Sequence, residues 1–227
     1  MKDGRTHLAY KAEHAVDLET GAIVAVTIQG ADEGDTSSIP ETLTEAVEHV
    51  DAALAADGGE HVHEFGVSEV VTDKGYHSAP VVTELQDLGL RTYIAEPDRG
   101  RQKWDGKRKA QAAVYANRRR IRRDKSKRLH RLRGERVERS FAHMYETGGM
   151  RRVHLRGREN ILKRVLIHGS ALNLGLLMRK AIGAGTPRGV TAILTSMCVA
   201  LLNVLRAPLW LVTPSTIDNA DCVYHAA

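Results

Sequence analysis

Metal-assisted phosphoryl chemistry needs several carboxylate oxygens converging from different elements, and two carboxylates of this 227-residue chain stand where such work is done. Asp73 follows the apolar positions Val67, Val70 and Val71 and precedes Gly75, in the stretch "VVTDKGYHS". This is the carboxyl end of an expected buried strand, where α/β sheets gather functional side chains. Taken alone, Asp73 also reads as a strand-end cap or turn acceptor. Glu138, in "RGERVERSFAHMYET", lies at the edge of the helical stripe formed by Val137, Phe141, Met144 and Tyr145. Glu135 points roughly 160° from Val137, toward solvent, at the usual helical rotation. Glu138 is therefore the residue expected to reach Asp73 and share a metal ion with it. The alternative is a structural ion pair with a partner from another element, because the positions three and four residues away hold Gly134, Glu135, Phe141 and Ala142.

Charge supplies a second pattern. The chain carries 33 Lys and Arg against 28 Asp and Glu, a net +5. Sixteen of the basic residues and only Asp105 and Asp124 among the acids fall between Arg99 and Arg133, a local +14 that leaves −9 for the remainder. With so few acids, pairing along the helix cannot offset the self-repulsion, and a polyanion partner is expected. Arg118, Arg119, Arg120, Arg122 and Arg123, with Arg151 and Arg152 after the Gly148-Gly149 break, are the expected nucleic-acid contacts. Arg156, Arg158, Lys163 and Arg164 extend the basic surface. His61-x-His63-Glu64 has a metal-like spacing, but without partner cysteines or a second pair it reads as a polar loop. His168 and Asn173, among apolar neighbours, read as satisfied core polar groups.

The elements that must position these residues follow from periodicity. Residues 7 to 29 alternate about a Leu18–Gly21 turn and predict a β-hairpin. Ser38 and Glu41, with Pro40 between them, form a capping-box pattern ahead of Leu43, Val47, Val50 and Leu54, predicting a helix over about 40–56. A strand begins near Val67 and ends at Asp73. Ser78 caps a helix running through Leu88 to Gly89, and "LRTYIAEP" is a further short strand. From about Arg131 to Arg206 the chain reads helical, broken at "ETGGM", near Gly157 and at "GAGTPRG". The tail after Pro214 is polar and expected to fray. The apolar run from Val190 meets Arg206 and Pro208 after about 16 residues, shorter than the ~20 of a membrane span, and reads as a core or interface helix. Two cysteines, Cys198 and Cys222, argue against a disulfide framework. No apolar leader opens the chain, so the expected location is cytoplasmic.

The block "TDKGYHS", followed by "ERVERSFAHMYETGGMRRVHLRGRENILKR" and "NLGLLMR", resembles the C-terminal part of bacterial insertion-sequence transposases of the DDE superfamily, over about residues 1–180. The resemblance implies an RNase H-like α/β fold, here a mixed sheet lacking its first strand, with a helical C-terminal region. It implies a partial catalytic domain over 1–180, containing the basic insertion 99–133, and an apolar helix and tail over 181–227. It implies DNA as partner, both transposon ends and target, with Mg2+ as cofactor; a homodimer is also open. Asp73 corresponds to the family's second Asp and Glu138 to its Glu. The accessory Tyr, Arg and Lys places are held by Arg131, Gly134 and Tyr145. The first Asp is expected on a strand upstream of Met1; Asp17 is the nearest substitute but falls in the hairpin turn, and Asp32 and Asp35 lie in the loop beyond. The chain is accordingly expected to be a fragment that does not cleave DNA alone. A non-catalytic DNA-binding regulator and an RNA-binding accessory protein are the alternatives.

Overall fold

A computed structural model describes residues 10–58, 60–98, 100 and 102–206. Tyr10–Val16 (β1) and Ile23–Gly30 (β2) pair antiparallel, with an irregularity between Ala15 and Val16. The turn is closed by Asp17, whose carboxylate accepts the Thr20 N–H at 2.8 Å, and by Gly21 at φ 79°, a left-handed conformation that glycine adopts without penalty.

Helix Asp35–Asp57 (α1) begins a full turn before the capping-box position, after Gly34. The Ser38 hydroxyl does not cap it; it donates to the buried Glu13 carboxylate at 2.6 Å. Pro40 therefore falls inside α1 and removes one backbone bond there. Strands Glu69–Thr72 (β3) and Arg91–Ile94 (β4) are parallel and joined through helix Ala79–Asp87 (α2). Ser78 caps α2 by accepting the Val81 N–H, and Gly89 follows it at φ 78°, so that this start and stop agree with the sequence pattern.

Helices Arg108–Ile121 (α3) and Asp124–Ala142 (α4) follow, and α4 widens into one π-helical turn over His143–Thr147. Helices Arg158–Ile182 (α5) and Pro187–Arg206 (α6) complete the described chain. It divides into two compact units, Met1–Leu177 and Met178–Ala227. The architecture is mixed α/β. The four strands form two separate two-stranded sheets among the described residues, where one mixed sheet was expected.

Each strand pair has its own core. Val70 and Ile94 pack with Val81, Val82 and Leu85 of α2, Ala113 and Val114 of α3, and Ile39 of α1. Val26 and Ile28 pack with Met144, Ile161 and Val165. The other face of the hairpin meets α1 through polar groups: Thr27 bonds Thr42 and Gln29 bonds Glu41. Helix α4 touches both pairs. Near its start Lys125 reaches Glu69 of β3 at 2.6 Å, and near its end Ser140 meets His14 of β1 at 2.6 Å. Arg99, Arg101, Cys222 and the tail after Pro214 lie outside the described residues.

Candidate active site

Asp73 leaves the end of β3 immediately before a single 3-10 turn, Lys74–Tyr76. Its Oδ1 accepts the Gly75 N–H at 2.9 Å, which is a strand-end cap. Its Oδ2 faces Arg133 Nη2 of α4 at 3.5 Å, and 48% of the side chain stays open to solvent. Asp73 thus caps its own turn while keeping one oxygen directed outward.

The inner side of α4 explains why Arg133 and not Glu138 meets it. Ser126, His130, Arg133, Val137 and Ser140 recur every three or four residues and are buried or half-buried. At about 100° per residue this places Glu138 roughly 120° from the centre of the inner face, and the side chain is exposed, as is that of Glu135. The apolar stripe read from sequence gave too much weight to Tyr145, which lies in the π turn and is 38% exposed. Four of the five inner-face residues are polar and leave no hydrophobic signal. No bond or ion pair joins Asp73 to Glu138 among the described residues.

Other carboxylates do come near Asp73, and sequence reasoning missed their role. Glu13 of β1 is 4% exposed and accepts the Ser38 hydroxyl at 2.6 Å, the Thr42 hydroxyl at 3.1 Å and the Tyr76 hydroxyl at 3.2 Å. Lys11 Nζ lies 2.9 Å from Glu13 and also bonds Asp35. The Asp35 carboxylate fills the space where a Gly75 side chain would project, and Asp73 Oδ1 would lie 3.2 Å from that position. A side chain at position 75 would displace the Asp35 carboxylate, so glycine is favoured there by close approach and not by a left-handed backbone, a distinction the sequence did not make. Burial, followed by the charges of Glu13, Asp35 and Asp73, pushes the Tyr76 hydroxyl well above its ordinary range. Burial works against the Lys11 charge, but its bonds to Asp35 and Glu13 outweigh that and raise its pKa.

His14 stands next to this group. Its ring packs 4.1 Å from Phe141, and its Nε2 meets Ser140 Oγ at 2.6 Å. Ser140 gives its one hydrogen to the Val137 carbonyl at 2.8 Å, so His14 Nε2–H is the donor and Nδ1 is bare. Burial, then the nearby Arg133 charge, lowers the His14 pKa to about 4.

The basic residues divide into two sets. Arg118 is bound to Glu96 through two nitrogens at 2.5 and 2.6 Å, and Arg120 donates to the Thr92 carbonyl and hydroxyl at 2.9 Å each. Arg151 is paired with Glu146 and Arg158 with Glu41. Arg119, Arg122, Arg123 and Arg152 are exposed and make no ion pair among the described residues, and Arg128 and Arg131 of α4 join them. His61 is held by Asp57 at 2.9 Å and His63 accepts the Phe65 N–H, which makes this segment a self-bonded loop. Asn173 bonds both the N–H and the carbonyl of Ile23, fastening α5 to the start of β2.

The model of the Transposase DDE domain family matches residues 1–174. The chain belongs to that family. No curated protein and no solved structure matches it. Membership agrees with the motif blocks around Asp73 and Glu138 and makes DNA the partner class of this transposase chain. The family also implies a divalent metal, typically Mg2+. The donor set as arranged does not fit one. Arg133 faces the outward oxygen of Asp73, Lys11 occupies Glu13 and Asp35, and no three His, Cys, Asp or Glu side chains converge on a metal position among the described residues. The cationic side chains beside Asp73, Glu13 and Asp35 supply the charge that an ion would otherwise bring.

Proposed function

We propose that the chain acts in DNA transposition and that, as an isolated polypeptide, it binds duplex DNA without cutting it. The observation that carries this reading is the Asp73–Arg133 pair, which places a guanidinium against the one carboxylate that both motif and position mark for chemistry. Asp73 and Glu138 are our assignment for two of the three carboxylates that the family uses in cleavage and strand transfer. Asp17 supports no third, since its carboxylate is spent on its own turn. The order hairpin, α1, β3, α2, β4 supports an RNase H-like reading of the fold, with α4 lying against both strand pairs. Exposed Arg119, Arg122, Arg123 and Arg152 are proposed to hold the phosphate backbone, which fixes register without reading bases. A DNA partner favours the cytoplasm.

The test is a pair of measurements on the purified chain. Affinity for duplex DNA, followed by fluorescence anisotropy, is expected to fall steeply as salt rises. Supercoiled plasmid incubated with Mg2+ or Mn2+ is expected to stay intact. Metal-dependent nicking that disappears in Asp73→Ala would overturn the non-cleaving part. Tighter binding to single-stranded RNA than to duplex DNA would overturn the choice of partner.

A further inference from the structure

One half-buried cation of α4 has no counter-charge. Arg133 faces Asp73 and Arg139 holds Glu135 at 2.7 Å, whereas Arg136, between them, makes no ion pair among the described residues. Its one hydrogen bond there runs from Nη2 to the Glu19 carbonyl at 3.4 Å, and its Nε is sealed from solvent with no acceptor. The hairpin turn lies against this guanidinium: a side chain begun at Gly21 would meet Arg136 Cδ and Nη1 at 3.3 Å and Nε at 3.6 Å. Gly21 of the turn, Arg136, Arg139 and Ser140 of α4, and Leu172 and Leu176 of α5 line a small space at this junction. It leaves about 10 Å³ for the centre of a water-sized sphere, which is room for one such particle. None of the six lining residues is acidic.

We propose that this space is a binding site for one halide ion, with chloride the ordinary occupant, held by the Arg136 guanidinium. A charge drawn partly out of water needs a partner of opposite sign, and a buried N–H needs an acceptor. Both needs fall on the same side chain, and one negative atom meets both. Water would accept the Nε–H but leave the charge uncompensated. The charge count sets the valence, since Glu135 neutralises Arg139 and one positive charge remains at the wall. The size sets the class: a carboxylate, sulfate or phosphate group brings several heavy atoms to a space made for one. Guanidinium is weakly hydrated, and the apolar wall of Leu172 and Leu176 suits an ion that sheds water readily. Such an ion would tie the hairpin turn, α4 and α5 together at one point. The site does not depend on what the chain does to DNA.

The experiment follows the chloride NMR line width and the melting temperature of the full 227-residue chain while chloride replaces gluconate at constant ionic strength. A bound halide broadens the chloride line, bromide narrows it again by competition, and the melting temperature rises with chloride. Arg136→Gln is expected to weaken chloride binding by more than ~10-fold. Arg136→Lys, which keeps the charge and loses the Nε–H, is expected to weaken it less, and it reads the site should the Gln variant not fold. Arg131→Gln, an exposed position about 140° around α4, is expected to leave binding unchanged. A parent chain indifferent to chloride would mean that water fills the space. Broadening untouched by Arg136→Gln would put the anion elsewhere, and loss of the bound chloride to an equimolar amount of duplex DNA would make Arg136 a backbone contact. Each of these three results overturns the halide site.

Discussion

His14 shows how one buried ring records its surroundings. Its Nδ1 is bare and Arg133 is nearby, so adding a proton would bury a second positive charge beside the first. The folded pKa of about 4 lies below the value of 6.5 for a free imidazole. Between those values the unfolded chain takes up a proton that the folded chain refuses. This contribution to stability is complete above pH 6.5 and is lost as pH falls toward about 4, amounting to a few kcal/mol. The melting temperature is expected to drop across this window, and His14→Phe, which keeps the ring stack on Phe141, is expected to flatten the drop. A variant with the same acid sensitivity as the parent would locate the effect elsewhere. At this scale the place of Asp73 was legible because a Val-rich run followed closely by Gly75 marks a strand end. It could not show Glu13, whose partners Ser38, Thr42 and Tyr76 lie 25, 29 and 63 residues away.

Among the elements, α2 was fully readable: Ser78 and Gly89 signal a start and a stop that no distant contact disturbs. The start of α1 was misread because Ser38 fits the capping pattern, yet its hydroxyl is taken by Glu13. The rotation of α4 was misread for a related reason, since polar side chains line its inner face. The basic segment yields a prediction of the same kind. Charge density alone treats its arginines as equivalent, whereas Arg118 and Arg120 fasten α3 to β4 and its exit, while Arg122 and Arg123 lie open between α3 and α4. Arg122→Ala and Arg123→Ala are each expected to lower DNA affinity at every sequence and to reduce the slope of log affinity against log salt by about 1. Arg118→Ala is expected to leave that slope nearly unchanged and to lower the melting temperature instead. Titrations of the variants at several salt concentrations separate these outcomes.

For the whole molecule, fold class was legible because hairpin, helix and short strands alternate as an α/β chain must. The division of the strands into two pairs was not, since strand pairing depends on contacts that no local pattern encodes. Each pair keeps its own apolar core, and α4 reaches both through polar contacts: Lys125 to Glu69, Arg133 to Asp73 and Ser140 to His14. Such contacts are individually weak compared with apolar burial. That arrangement has a consequence in time. Hydrogen exchange on the native chain is expected to show two protected sets of amides, one around Val26 and Ile28 and the other around Val70 and Ile94, opening with different free energies. The outer amides of α4 are expected to exchange before either. A single free energy shared by both sets would mean that α4 locks the halves into one cooperative unit. With two, the helix acts as a clasp that can loosen while both halves stay folded, and the hold of Arg133 on Asp73 loosens with it.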